Sequence, residues 1–246
     1  MRKRIWILIF AIMFSGISAV FIFDKDNHEL AIELKNKGDL QDGEEAISTY
    51  TEAINLDENY TAAYCKRGLI KTNLGDVIGG LEDQNKALQI DSNYVNSYCA
   101  RAIAKGKLND NYGAIADLCK AIELDSNNIG AYLNLAYRYN KVGNHEEELE
   151  TYKKGLDVCR KNPNPLFYIN YGTSLLEQEL INEGIDIYTE GINTFSDNKE
   201  LYLRRGVAYM MRDNPDDRVY ALLDFTQSYE LGHEKALDMI NRLHSY

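Results

Sequence analysis

Cysteine is scarce in this chain and never closely paired. The four thiols, Cys65, Cys99, Cys119 and Cys159, form no CxxC motif and are too few in 246 residues to make a disulfide framework. They read as unpaired, mostly buried small apolar residues, with a single disulfide as the alternative. Histidine is as rare: His28, His145, His233 and His244 lie far apart and set no metal-ligand spacing. No glycine-rich phosphate loop and no nucleophile elbow occurs. The Asp-Ser-Asn turns lack a calcium-loop ligand pattern, and Glu146-Glu147-Glu148 reads as solvated helix surface. These absences leave no enzyme, metal or cofactor to expect.

Basic residues are also in deficit. Arg2, Lys3 and Arg4 stand at the N-terminus, and no acidic residue precedes Asp24. Without those three, 24 of the 27 basic side chains face all 38 acidic ones. A surface this acidic repels phosphate backbones, which argues against nucleic acid as a partner and weakly favours a basic ligand. The one long apolar run is residues 5–23, IWILIFAIMFSGISAVFIF, nineteen positions without a charge. A helix of that length comes close to the roughly 30 Å hydrocarbon core. The flanking charges then predict a transmembrane anchor with the N-terminus cytoplasmic and the body on the outer or periplasmic side. The alternatives are a cleaved signal peptide with a secreted or periplasmic product, although Ile17-Ser18-Ala19 is a poor cleavage site, and a buried helix of the soluble fold. Trp6 would mark the interface.

The remainder is periodic. Ala53-Ile54-Asn55-Leu56-Asp57 returns as Ala87-Leu88-Gln89-Ile90-Asp91 and as Ala121-Ile122-Glu123-Leu124-Asp125, each step being 34 residues. Weaker echoes begin at Gly155, Gly191 and Ser228. Small residues recur in parallel at Ala31, Gly68, Ala102, Ala136, Gly172 and Gly206. Tyr64, Tyr98, Tyr132, Tyr168 and Tyr202 stand four positions before the last five. That spacing sets ring and small residue on one helix face, one turn apart, so that a partner helix can approach. A further small residue, at Ala46, Gly80, Ala114, Gly184 and Ala221, starts the second helix, and Glu148 departs from the series. Gly38 and Gly143 suit left-handed helix ends. Asp57-Glu58-Asn59, Asp91-Ser92-Asn93 and Asp125-Ser126-Asn127 offer turns with N-caps for the next helix.

On these residues the sequence resembles the tetratricopeptide repeat family. The resemblance implies an all-α solenoid of antiparallel helix pairs over residues 24–246, here preceded by one N-terminal transmembrane helix. Six repeats fall at about 24–60, 61–94, 95–128, 129–164, 165–198 and 199–233, with a capping helix over 234–244 that turns Ala236, Leu237, Ile240 and Leu243 inward. The family's aromatic falls on Tyr50, Tyr152, Tyr188 and Phe225, whereas Gln84 and Leu118 replace it in two repeats. Its usual proline between repeats is mostly missing.

The resemblance further implies a concave groove lined by the first helix of each pair. Carried over residue by residue, the inward positions are Cys65, Lys66, Leu69 and Asn73, then Cys99, Ile103 and Lys107, then Leu133, Asn134, Tyr137 and Lys141. Ile169, Asn170, Thr173 and Glu177 follow, and then Leu203, Arg204, Val207 and Met211. Asn134 and Asn170 share one repeat position, so their amides are expected to form a ladder able to bond an extended peptide backbone. Lys107 and Lys141 share another and could meet an acidic group. A carboxylate clamp for peptide C-termini does not map, because Cys65 and Leu69 stand where its first lysine and asparagine would be. The expected function is a non-catalytic interaction module displayed at a bacterial envelope membrane, binding protein or extended peptide to support complex assembly or secretion. The alternative is a structural scaffold acting through self-association.

Overall fold

The computed structural model of the protein describes residues 16–244, with side chains from Asn27 to Leu243. Among the described residues there are thirteen α-helices and no strand. They fall into two compact units that part between Asp125 and Ser126. The first unit holds α1 (Gly16–Gly38), α2 (Gly43–Leu56), α3 (Thr61–Leu74), α4 (Val77–Ile90), α5 (Val95–Lys107) and α6 (Asn111–Leu124). The second holds α7 (Ile129–Lys141), α8 (His145–Lys161), α9 (Pro165–Glu177), α10 (Ile181–Thr194), α11 (Lys199–Arg212), α12 (Asp217–Glu230) and α13 (Lys235–His244). Short turns make each successive pair antiparallel, the helical counterpart of a hairpin. The odd-numbered member of each pair, α1 to α11, is its A helix and the even-numbered member its B helix.

The expected membrane anchor is overturned. Residues 5–15 of that apolar run lie outside the described residues. The rest of it enters α1, which continues without a break through Asp24, Lys25 and Asp26 to Gly38 and packs against α2. Phe23 and the charged residues that follow it thus lie within one helix. Among the described residues no helix is long and apolar enough to cross a membrane. The transmembrane element, attachment through residues 5–23 and the single-pass location are corrected accordingly.

Within a pair, the small residue of the A helix receives the aromatic ring of the B helix. At Gly172 a Cβ would stand 2.4 Å from Cε1 of Tyr188, a ring with no exposed surface. Only glycine permits that approach. Where the ring is absent, Gln84 fills the space and donates from Nε2 to the Cys65 carbonyl at 2.8 Å, while Leu118 does so by burial alone. In the second unit the rings meet across pairs: Tyr152 stacks on Tyr171 at 5.0 Å and meets Phe167 edge-on at 5.6 Å. Each such pair adds about 1 kcal/mol beyond area burial.

In the last five pairs the turn between the two helices has a left-handed residue at one repeat position. Gly75 (φ 103°) and Gly143 (φ 73°) fill it without strain, whereas Asn109, Glu179 and Asp213 adopt φ of 63°, 62° and 53° there. Gly38 differs from expectation, since it is helical and is small because the Tyr50 ring lies 2.9 Å from where a Cβ would be. The N-caps also differ in part. Asp57 and Asp91 accept from the amides of Asn59 and Asn93 two residues on, closing turns, while α3 and α5 start without a side-chain cap. Asn128 caps α7, and Asp76 and Asp110 cap the B helices α4 and α6. In α13 Ala236 is buried, but Leu237, expected to face inward, is 40% exposed.

A set of ionic rungs joins neighbouring helices. Arg67 donates two hydrogen bonds to Asp83, at 2.8 and 2.7 Å, and Arg101 does the same to Asp117 at 2.9 and 2.7 Å. Arg205 and Asp224 repeat the geometry in the second unit at 2.8 Å. Each guanidinium also donates to the B helix of the preceding pair, at Thr51, Asn85 and Thr189 respectively. Each lies about one ring away from the repeat tyrosine three residues earlier, 5.5 Å from Tyr64 and Tyr98 and 5.9 Å from Tyr202. The recurrent tyrosines are therefore platforms for arginine as well as packing rings.

Candidate functional site

The A helices present the residues expected to bind a ligand, and the two units differ in how those residues are used. In the first unit Cys65 is buried against Ala87 and Ala100, with Leu69 packed on the same cluster. Burial pushes the Cys65 thiol up, and it pushes Cys99 up to about 11 with the neighbouring Cys65 adding to the effect. All four cysteines are free thiols. Ile103 is half-buried, as is Cys99. Lys107 is exposed but committed: its Nζ donates to the Thr72 carbonyl at 2.7 Å, satisfying the last turn of α3. Lys66 reaches toward Asp39 at 3.6 Å. This face is mostly occupied by internal contacts.

In the second unit α9 packs against both α7 and α11, so their equivalent positions lie on adjoining helices. Leu133, Ile169, Leu203 and Val207 are each half-buried. Asn134 turns its amide onto its own helix, donating to the Gly130 carbonyl at 2.9 Å. Asn170 is exposed, and among the described residues its carboxamide has no hydrogen-bond partner. The two amides are thus not alike. Thr173 donates to the Ile169 carbonyl at 2.8 Å and shares a hydrogen bond of 3.0 Å with the Tyr188 hydroxyl. Arg204 is tied to Glu200 at 2.6 Å, and His233 meets the other oxygen of that carboxylate at 3.0 Å. Despite burial, those two partners hold the Glu200 carboxyl below the usual carboxylate range.

Tyr137 is the most distinctive member of this face. Its ring is 47% exposed, with the Arg138 guanidinium 4.9 Å and the Lys141 ammonium 5.3 Å from its centroid. Two cations on one ring make a local positive spot in an acidic chain, and a flat aromatic surface at its centre. Lys141 is exposed at the end of α7.

Two features escaped the sequence. Glu148, read as surface charge, is buried between α7 and α8. Its carboxylate accepts from Asn140 Nδ2 at 3.2 and 3.3 Å and lies 3.1 Å from His145 Nδ1. Its place in the small-residue series was the available signal, because that position faces the partner helix. The second feature is a cavity of about 270 Å³ walled by α11, α12 and α13. Its signal was the clustering of Met210, Met211 and Met239 in a chain with five methionines. Among the described residues no group of three or more acidic, histidine or cysteine side chains could hold a metal.

Comparison with known proteins agrees with this architecture. The tetratricopeptide repeat family model matches residues 95–128 and 129–162. No curated protein matches the chain. Among solved structures, the C-terminal part of a repeat-containing protein from Cytophaga hutchinsonii aligns with a TM-score of 0.67 at 14% identity, over 83% of this chain and 78% of that one. YrrB, described as a protein of this repeat class with an unusual peptide-binding site, aligns at 0.57 and 16% identity over 77% and 96%. A tetratricopeptide repeat protein from Parabacteroides merdae aligns at 0.56 and 19% over 89% and 83%. At these identities the likeness establishes the fold alone. The described residues form antiparallel helix pairs throughout, and two of the repeats, residues 95–162, match the tetratricopeptide repeat model.

Proposed function

We propose that this protein is a binding module that takes an extended peptide or protein segment on the face formed by α7, α9 and α11. The observation that carries this reading is the pair of uncommitted, exposed groups on adjoining A helices. Tyr137 offers a cation-flanked ring and Asn170 a free carboxamide, above the half-buried floor of Leu133, Ile169 and Leu203. An amide that both donates and accepts can pair with a peptide unit, and an aromatic ring supplies contact area at small entropic cost. The peptide-binding site ascribed to YrrB, which shares the fold, supports the same use. The test places a photo-crosslinking benzoylphenylalanine at residue 166, exposed one turn before Asn170 on α9, in the full chain, with residue 150 on α8 as the control. Capture of peptide at 166 well above 150 is the expected result. Equal yields at both positions would sink the reading.

A second reading, self-association, rests on the outer face of the B helices in the same unit. Flanking the small-residue position, α8 exposes Glu146, Glu147 and Glu150, and α10 exposes Asn182, Glu183 and Asp186. The equivalent residues of α12 are Val219, Tyr220 and Leu223, all exposed. Polarity is reversed in this one helix, and exposed apolar patches of that kind mark contact surfaces. Sedimentation of the wild type against Leu223→Glu decides it. A dimer that the substitution dissolves supports self-association, and a wild type monomeric at high concentration excludes it.

A further inference from the structure

The cavity beneath α13 is not explained by packing of the repeats. Val207, Met210 and Met211 of α11, Phe225 of α12, and Met239 and Leu243 of α13 wall its space of about 270 Å³. An engineered apolar cavity of about 150 Å³ already admits a benzene ring. This one therefore has room for a phenyl or branched aliphatic group with its flanking methylenes. Methionine is unbranched and polarisable, so a wall of three can repack around different apolar shapes. No carboxylate lines the space, and the charged lining residue is Arg242. A lysine or arginine side chain entering it would find no carboxylate among the lining residues.

Its position connects it with the proposed binding face. Tyr137, Thr173 and Val207 hold the same position in three successive A helices, and Val207 is a wall of the cavity. A segment running along that row reaches the cavity at its last member. We infer that the cavity is an anchor subsite for one large apolar side chain, of phenylalanine or leucine type, carried by the peptide bound on α7, α9 and α11. The inference rests on the peptide-binding reading above and adds to it the class of residue recognised. A buried aromatic or aliphatic anchor is how such surfaces concentrate their binding energy.

The chain supplies its own probe. Labelling the full-length protein with ¹³C-methyl methionine gives five methyl groups, three of which line the cavity. The ligand series is an acetylated, amidated Gly-Ser-Gly-Xaa-Gly-Ser-Gly peptide with Xaa as Phe, Ala or Lys, together with decanoate. The Phe peptide is expected to shift the three cavity methyls saturably. The Ala and Lys peptides should need at least about tenfold more, the factor that corresponds to about 1.4 kcal/mol. Val207→Trp fills the space and should abolish the shifts, and Met211→Phe serves the same purpose if the first variant is unfolded by circular dichroism. Equal responses to Phe and Ala peptides overturn the subsite, as does a response to decanoate alone, which assigns the cavity to acyl chains. Crosslinking at residue 166 separates the two levels. Capture there with silent cavity methyls removes the subsite and leaves the binding face. Responding methyls without capture remove the face instead.

Discussion

Replacing Asp117 by asparagine keeps the shape of one ionic rung and deletes its charge. The Asp117 side chain is 6% exposed and answers two cations, Arg101 through paired hydrogen bonds and Lys105 at 2.8 Å. Arg101 is itself only 21% exposed, so the substitution strands a guanidinium in a half-dry site with an ammonium beside it. Breaking a buried pair from one side costs about 3–5 kcal/mol. Discounting for the partly exposed cations, a loss of about 2–4 kcal/mol is expected. The structure supplies its own control. In α7 and α8 the equivalent positions are Leu135 and Thr151, buried and uncharged, and that pair of helices is equally well formed. The double change Arg101→Leu with Asp117→Thr should therefore lie within about 1.5 kcal/mol of wild type, because well-packed apolar residues replace buried ion pairs at little cost. Urea unfolding followed by circular dichroism at 222 nm, with hydrogen exchange of α5 and α6 amides to localise the effect, measures both. A single variant within about 0.5 kcal/mol of wild type, or a double variant worse than the single, would refute the reasoning.

Other expectations follow from single residues. Glu179 holds a left-handed conformation with φ of 62°, so Glu179→Gly should raise stability by about 1 kcal/mol, seen as a higher urea midpoint at unchanged slope. Cys119 is exposed, whereas burial raises the Cys65 and Cys99 thiols. At neutral pH, alkylation with iodoacetamide and mass spectrometry should find Cys119 modified first and the buried Cys65 and Cys159 last. Two hydrogen bonds from Arg212, with a third from the Asn214 amide, hold the Asp217 carboxyl below the usual carboxylate range. Its folded-state proton affinity is lower than in the unfolded chain. The stabilisation is thus complete above an ordinary carboxylate pKa of about 3.9 and fades as pH falls through the lower folded value. Thermal melts of wild type and Asp217→Asn should differ at neutral pH and converge in strong acid.

How much of this could be read in advance depended on whether a residue's neighbours were set by the repeat. Gly172 was legible as a small residue from its recurrence, but the ring set beside it was Tyr168 on its own helix, whereas the ring it receives is Tyr188, sixteen positions on in the partner helix. Glu148 was misread because local composition placed it in an acidic run, whereas its repeat position faces a partner helix. The rungs were invisible as pairs for a different reason. Arg101 and Asp117 are sixteen residues apart, each is an ordinary surface residue by type, and only the helix pair brings them together. The apolar run at the N-terminus misled in the opposite way. Its length fitted a bilayer, but the charged residues that follow belong to the same helix, which a composition window cannot register. On the candidate face, sequence placed Asn134 and Asn170 at one position and made them equivalent. The structure separates them, because a side chain four residues from a carbonyl on its own helix can satisfy itself there.

That separation bears on which part of the array is free to bind. A repeat position occupied by a group already bonded inside its own helix contributes shape, whereas one left open contributes chemistry. In the first unit Lys107 and Cys65 are spent on an adjoining helix end and on the core. In the second, Tyr137 and Asn170 are not, and the row that contains Tyr137 ends at an apolar cavity lined by methionine. The ionic rung is also replaced there: Leu135 and Thr151, then Tyr171 and Ile187, occupy the places that arginine and aspartate hold in neighbouring pairs. Within each of these two pairs apolar and aromatic contacts take the place of the buried guanidinium rung, while nearer the surface Arg160 of α8 donates two hydrogen bonds of 2.9 Å to Glu190 of α10. Binding by this face should accordingly depend less on salt than the stability of the helix pairs built on Arg67, Arg101 and Arg205, since screening weakens charge pairs and leaves apolar contact intact. Peptide titrations and urea midpoints measured across the same salt series compare the two, and an affinity that falls with salt more steeply than the midpoint would contradict this assignment.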